Sequence, residues 1–288
     1  MHRTAPLLAA ILLVVSGCGS SKAPAATAPT PADHSGGTAQ TAVLTKALAR
    51  FKAAGTGSYE SQVTVDGISD PLAHETGSYG LSPARTEFER AILGIDQASS
   101  APRVQVVRVR SVADTKSFLQ LKEWGSWTGC WLRTDLSAIT QLTGVAISKA
   151  DPLPTAIGIL ARAEVVGSGG GMDGPHLAVD AYTALQFLGV SSSAMPDRST
   201  LAAVQVPVLL DVTSSGGPSG AAVEGTQVAA ALKAAGVPVS SRFSGFVTKA
   251  HAQVVLSDLG RAVRISPPGA AVLLPRHPAM TATCAVNR

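Results

Sequence analysis

Tyr59-Glu60-Ser61-Gln62-Val63-Thr64-Val65 alternates between two kinds of side chain, and that alternation decides the fold. Tyr59, Val63 and Val65 fall on one side of an extended chain, and Glu60, Gln62 and Thr64 on the other. A period of two marks a strand with one buried face, because successive side chains leave a strand on opposite sides. Asp66-Gly67 supplies a turn after it. Strand-like runs follow at Gly77 to Leu81, Arg85 to Ile92, Val104 to Val112 and Ser117 to Leu121, spaced as in an antiparallel meander. Ahead of them, Ala42 to Ala54 reads as an amphipathic helix through Leu44, Leu48 and Phe51, stopped by Gly55 and Gly57.

The middle of the chain reads as helical. Thr134-Asp135 can cap a helix from Leu136 to Leu142, with Ile139 and Leu142 on one side. Asp151-Pro152 opens another, whose apolar face is Ile157, Leu160 and Ala161. Gly169-x-Gly171-x-x-Gly174 matches a dinucleotide fingerprint in letters. A strand-like His176 to Asp180 follows it where a helix N-terminus would have to hold the pyrophosphate, so it reads as a loop. Val204 to Val212 alternates strongly, with Val206, Val208, Leu210 and Val212 on one face, and Gly216-Gly217-Pro218 ends that region. A helix is expected over Gln227 to Ala235, within a helical segment 221–236. Strands are expected over Val239 to Val247, Ala252 to Leu256 and Ala262 to Ser266, the last two joined as a hairpin by Asp258-Leu259-Gly260. Helix, strands, helices, strands is the order of an α+β domain with one large antiparallel sheet and helices on one face.

The N-terminus says where such a domain works. Ala5 to Val15 is an apolar run behind His2 and Arg3, too short to span a bilayer, which takes about 20 apolar residues. Val15-Ser16-Gly17-Cys18 follows it and resembles a bacterial lipobox, in which Cys18 is acylated and becomes the first mature residue. The expected organisation is a lipoprotein signal peptide (1–17), a tether (18–41) rich in Ala, Pro, Thr and Gly, and one α+β domain (42–288). The product would be lipid-anchored on the extracytoplasmic face of the cell membrane. In that oxidising compartment Cys130 and Cys284 are left as one pair. A bridge would close a loop of about 155 residues, worth roughly 5 kcal/mol in the chain-entropy treatment, and would pin the tail 269–288.

Chemistry-bearing motifs are missing from the sequence. Twenty-three basic and 19 acidic residues give a net charge of +4, without a basic run interleaved with aromatics, so nucleic acid is not an expected partner. There is no Walker loop, GxSxG elbow, HExxH or zinc spacing, and the expectation is a non-enzyme without cofactor or metal. His74-Glu75 are adjacent strand residues on opposite faces and read as surface or turn positions. Glu87 and Glu89 share a strand face beside Arg85 and Arg90, as a solvated charge ladder, and Arg108 and Arg110 read the same way. Trp124, Trp127 and Trp131 gather around Cys130, either as a lip that touches lipid or as a structural cluster around the bridge.

Taken together, the order of these segments resembles the actinobacterial LppX/LprG-type lipoproteins, relatives in shape of the periplasmic carrier LolA. The resemblance runs from the lipobox and tether through the strand opened by Gly57-Ser58-Tyr59, the helix Pro152 to Ala163 and the strand His176 to Asp180. It continues through Val206 to Asp211 and closes on Leu256-Ser257-Asp258-Leu259-Gly260 with Val263-Arg264-Ile265-Ser266-Pro267. It implies a curved antiparallel half-barrel with helices across the open face, enclosing a hydrophobic cavity for a lipid or lipoglycan. The tryptophan segment 124–131, the helix 221–236 and the tail from Gly269 to Arg288 depart from the pattern. The expected function is binding or carrying an amphiphile, with an envelope transport protein as partner. The cavity candidates are Val63, Val65, Phe88, Val106, Ile139, Leu160, Val208 and Leu210, all of which could equally be plain core. The alternative is a filled interior, and an adaptor that binds another envelope protein.

Overall fold

A computed structural model describes residues 35–95, 102–112, 116–121, 130–134, 153–167, 174–191, 194–269 and 272–273. Helix α1 (Ser35–Ala54) leads into a meander of β1 (Thr56–Val65), β2 (Ala73–Leu81), β3 (Ala84–Ile95), β4 (Pro102–Val112), β5 (Lys116–Leu121) and β6 (Trp131–Thr134). After α2 (Thr155–Arg162) come β7 (Glu164–Val166), β8 (His176–Asp180), α3 (Ala181–Phe187) and α4 (Arg198–Ala202). The chain continues through β9 (Gln205–Val212), β10 (Pro218–Glu224), α5 (Gly225–Ala234), α6 (Ser241–Val247), β11 (Ala250–Ser257) and β12 (Val272–Leu273). The strands form one sheet in the order β12-β6-β5-β4-β3-β2-β1-β11-β10-β9-β8-β7. Its neighbours are antiparallel except β12, which runs parallel to β6. The end strands do not pair with each other among the described residues, so the sheet is an open half-barrel in an α+β fold.

Register fixes which side chains face inward. Tyr59 stands opposite Leu256, Val63 opposite Ala252 and Ala73, and Phe88 opposite Gly77 and Val109. These inward positions are buried, while their neighbours Glu60, Gln253 and Val255 are exposed. Helices cover the inner face: Phe51 of α1 meets Tyr79 at 5.8 Å between ring centroids, and Ile157 and Leu160 of α2 are fully buried in the same core. Asp180 caps α3, accepting from the Thr183 amide at 2.9 Å, and Asp197 caps α4 through the Ser199 amide.

The outer face carries charge. Arg110 donates to Glu87 at 2.6 Å and Arg108 to Glu89 at 3.2 Å, which makes a ladder, but Arg90, expected in it, is in phase with inward Phe88 and pairs with Glu75 instead. The Arg110 guanidinium also lies 4.8 Å from the Trp131 ring, so this tryptophan packs on the ladder; Trp124 and Trp127 lie outside the described residues. On the same face His251 stands with Nδ1 2.5 Å from Glu224 and Nε2 3.4 Å from Asp66. Its hydrogen bond to Glu224, with the charges of Glu224 and Asp66, raises its pKa above the ordinary imidazole value. A raised folded pKa stabilises fully below the unfolded value of about 6.5 and is lost as pH rises through the folded one. His251→Asn is therefore expected to lower Tm by about 2 °C near pH 5.5 and to leave it unchanged near pH 9, the solvent-exposed pair being worth under about 1 kcal/mol. Paired thermal melts check this, and an equal loss at both pH values would remove the ionic explanation.

Several elements differ from the sequence reading. Helix α1 begins at Ser35 and takes in residues 35–41 of the expected tether, since extending a docked helix costs little. The segment 221–236 is not all helix: Ala221 to Glu224 finish β10, which pairs with β11, and α5 starts at Gly225. Val239 to Val247 is not a strand. Ser240 caps α6 by accepting from the Phe243 amide at 3.2 Å. Ala262 to Ser266 forms no hairpin with β11. After Asp258 and Gly260, both at positive φ, it runs extended along the outer face with Ile265 buried, and Arg110 donates to the Ser266 carbonyl at 3.0 Å. The predicted helix 136–142, including Ile139, lies outside the described residues.

Candidate functional site

The expected cavity residues have separate fates. Val63, Val65, Phe88, Leu160 and Val208 are at most 7 % exposed and pack in one core, with Leu210 half-buried against it. Val106 is misplaced by the sequence reading: it pairs with Ala91 in the register of the outer face, between the inward Val107 and its own side of the ladder. Among the described residues a cleft of about 20 Å³ opens beside Val63, room for about one water.

That cleft is polar on one wall, which the sequence reading missed. Glu75 is 3 % exposed and faces inward, not a surface residue. It accepts from the Tyr59 hydroxyl at 2.6 Å and from Arg90 at 3.4 Å. Burial raises the Glu75 pKa against the opposing pull of Arg90, and burial with the neighbouring carboxylate pushes the Tyr59 hydroxyl far up. The Tyr79 hydroxyl, also buried, has no hydrogen-bond partner. The signal was present in the alternation itself, since Glu75 stands in phase with Ala73 and Tyr79. Glu75, Arg90 and Tyr59 hold one another, and the cluster has no room for a substrate.

Space opens elsewhere. An apolar groove of about 550 Å³ lies between α5 and α6, within the range of about 300–1,000 Å³ usual for small-molecule sites. Its α5 wall is Ala229, Ala230, Leu232 and Lys233, the connecting turn adds Gly236, Val237 and Val239, and α6 adds Phe243, Val247 and Thr248. Three local features make this shape. Gly236 at φ +68 ends α5: its amide bonds the Lys233 carbonyl and the Val237 amide reaches Leu232, a Schellman turn that reverses the chain at once. Small side chains on α5 leave the space unfilled. Gly225 lets α5 approach the end of α6, because a Cβ there would lie 1.8 Å from the Val247 carbonyl oxygen. Lys233 is exposed at the groove and makes no ion pair among the described residues, and no acidic residue lines the wall.

Among the described residues no group of His, Cys, Asp and Glu could hold a metal, and no helix is long and apolar enough to cross a membrane. Cys130 is buried just before β6, while Cys18 and Cys284 lie outside the described residues.

The class defined here is an open α+β half-barrel with an apolar groove between two of its helices. Among solved structures, the chain is similar to lipoprotein LppX of Mycobacterium tuberculosis, with 10% identity and a TM-score of 0.36 over 80% of this chain and 99% of that one. It is similar also to LprF from Mycobacterium bovis, with 12% identity and a TM-score of 0.36 over 80% and 97% of the two chains. No family model and no curated protein sequence matches it.

Proposed function

We propose that this protein is a non-enzymatic lipoprotein, anchored through Cys18 on the extracytoplasmic face of the cell membrane, that binds an amphiphile in the α5–α6 groove. The observation that carries the reading is the groove itself: about 550 Å³, lined mostly by Ala, Leu, Val and Phe. Apolar burial would supply the affinity, at about 25 cal/mol per Å² removed from water. The Val-Ser-Gly-Cys18 motif supports the anchor, and a Cys130–Cys284 bridge would hold the tail to the β6 edge. A lipid or lipoglycan is the ligand class, and an envelope transport protein the expected partner.

The experiment is native mass spectrometry of the full-length chain carrying Cys18→Ser, purified from an envelope-lipid-producing host. Extra mass that organic extraction removes is expected, and Ala230→Trp, which fills the groove from an exposed position, is expected to abolish it. An apo mass that persists after incubation with envelope lipids would overturn the reading. A second reading, an adaptor with a filled interior that binds another envelope protein, is favoured by the close packing of Val63, Val65, Phe88, Leu160 and Val208. It would gain from that apo result.

A further inference from the structure

We infer that the α5–α6 groove selects a single-chain amphiphile with an anionic headgroup, and that Lys233 is the headgroup's partner. This rests on the groove being an amphiphile site at all, and it adds the ligand's charge and the residue that reads it. Ala229, Ala230, Lys233 and Gly236 recur at three- to four-residue spacing, so Lys233 stands in the middle of α5's groove face. Lys233 is exposed and lines the apolar groove, a position where a long cation can lay its stem on apolar surface and keep its ammonium in water.

Charge around the groove has one sign. Residues 225–249, which build both walls and the turn between them, contain Lys233, Arg242 and Lys249 and no Asp or Glu. Among the described residues none of the three cations makes an ion pair. Arg242 precedes and Lys249 follows the lining positions Phe243 to Thr248, and neither lines the groove, which leaves Lys233 as the cation that a bound headgroup would meet. Lys233 also stands in the last turn of α5, where a cation suits the helix's carbonyl end. That role would alter helix stability alone, so ligand discrimination separates the two. The opposite wall offers Phe243 and Val247 to the chain, and Thr248, whose hydroxyl donates to the Ser244 carbonyl at 2.9 Å, brings no competing charge.

The test is calorimetric titration of the full-length Cys18→Ser chain with laurate and, separately, lauryl alcohol, which share a chain length and differ in headgroup. Laurate is expected to bind about tenfold tighter, the worth of one partly exposed hydrogen bond to a charged group. Lys233→Gln is expected to erase that preference, bringing laurate down to the affinity of the alcohol, and Lys233→Arg to keep it. Equal binding of acid and alcohol by the unsubstituted chain would overturn the headgroup inference and leave the groove reading standing. A preference that survives Lys233→Gln would overturn the role of Lys233. Binding of neither ligand would overturn the groove reading and this inference with it.

Discussion

Gly225→Ala is expected to destabilise the protein by about 3 kcal/mol, lowering Tm by about 6–12 °C. The added methyl carbon would lie 1.8 Å from the carbonyl oxygen of Val247 and 2.5 Å from that of Ala250. Both neighbours are backbone, at the end of α6 and the start of β11, so no side-chain rotation makes room. Either α5 must slide away from β11 or α6 must lift, and both motions open the buried contacts of Val228 and Val247. Gly236→Ala is the control. Gly236 sits at positive φ, as Gly225 does not, and nothing lies within 4 Å of its added Cβ, so the cost is the left-handed conformation alone, about 1 kcal/mol. Denaturant melts of the two variants check the contrast. Equal losses would mean that α5 and α6 do not meet at Gly225, and the groove between them would lose its support.

Arg90→Met is expected to cost about 3–5 kcal/mol at neutral pH, because it leaves the Glu75 carboxylate buried without its cation. The loss should depend on pH in a definite direction. Burial already holds the folded pKa of Glu75 above its ordinary value, and removing Arg90 raises it further. A group with a raised folded pKa loses its stabilising contribution as pH rises from the unfolded value of about 4.3 through the folded one. The unfolded value is common to both proteins, so the variant should lie closest to the parent below the parent's raised folded pKa and fall away as pH climbs from there toward the variant's higher one. Arg90→Met combined with Glu75→Leu should recover most of the loss, since two apolar side chains carry no desolvation penalty. Urea melts across pH measure both. A single variant with a pH-independent deficit would assign the effect to lost packing of the arginine stem rather than to the stranded carboxylate.

Much of the fold was legible because alternation is a local property of the backbone. Strands β1 and β3 to β5 were read within a few residues, as were β8, α2 and β11, while β2 was read only from Gly77 and its first half, which carries Glu75, was missed. Errors arose where the same local signal serves two ends. Val263 and Ile265 alternate like a strand, but alternation reports an extended chain, not a hydrogen-bonded partner, and this segment crosses the outer face instead. In α6, Val239, Phe243, Phe246 and Val247 recur at helical spacing behind a Ser cap, a signal present in the sequence and read with the wrong period. The capping aspartates of α3 and α4, Asp180 and Asp197, were likewise readable signs of two helices the sequence analysis did not assign.

The site was less legible than the fold. Composition and periodicity mark an apolar residue as inward-facing, and Val63, Phe88 and Leu160 are inward. They cannot distinguish the wall of a cavity from packed core, since that depends on how closely the opposite element approaches. By itself the sequence determined most of the β1 to β5 meander, the Glu87–Arg110 and Glu89–Arg108 face, the α+β class and the lipobox signature, because each is written in neighbouring residues. Only the tertiary structure decided that Glu75 is buried against Tyr59 and Arg90, that Val63, Phe88 and Leu160 pack in one core, and that a groove opens between α5 and α6. Those outcomes depend on distances between segments far apart in the chain or across a turn. There a single missing Cβ at Gly225 sets how near two helices come.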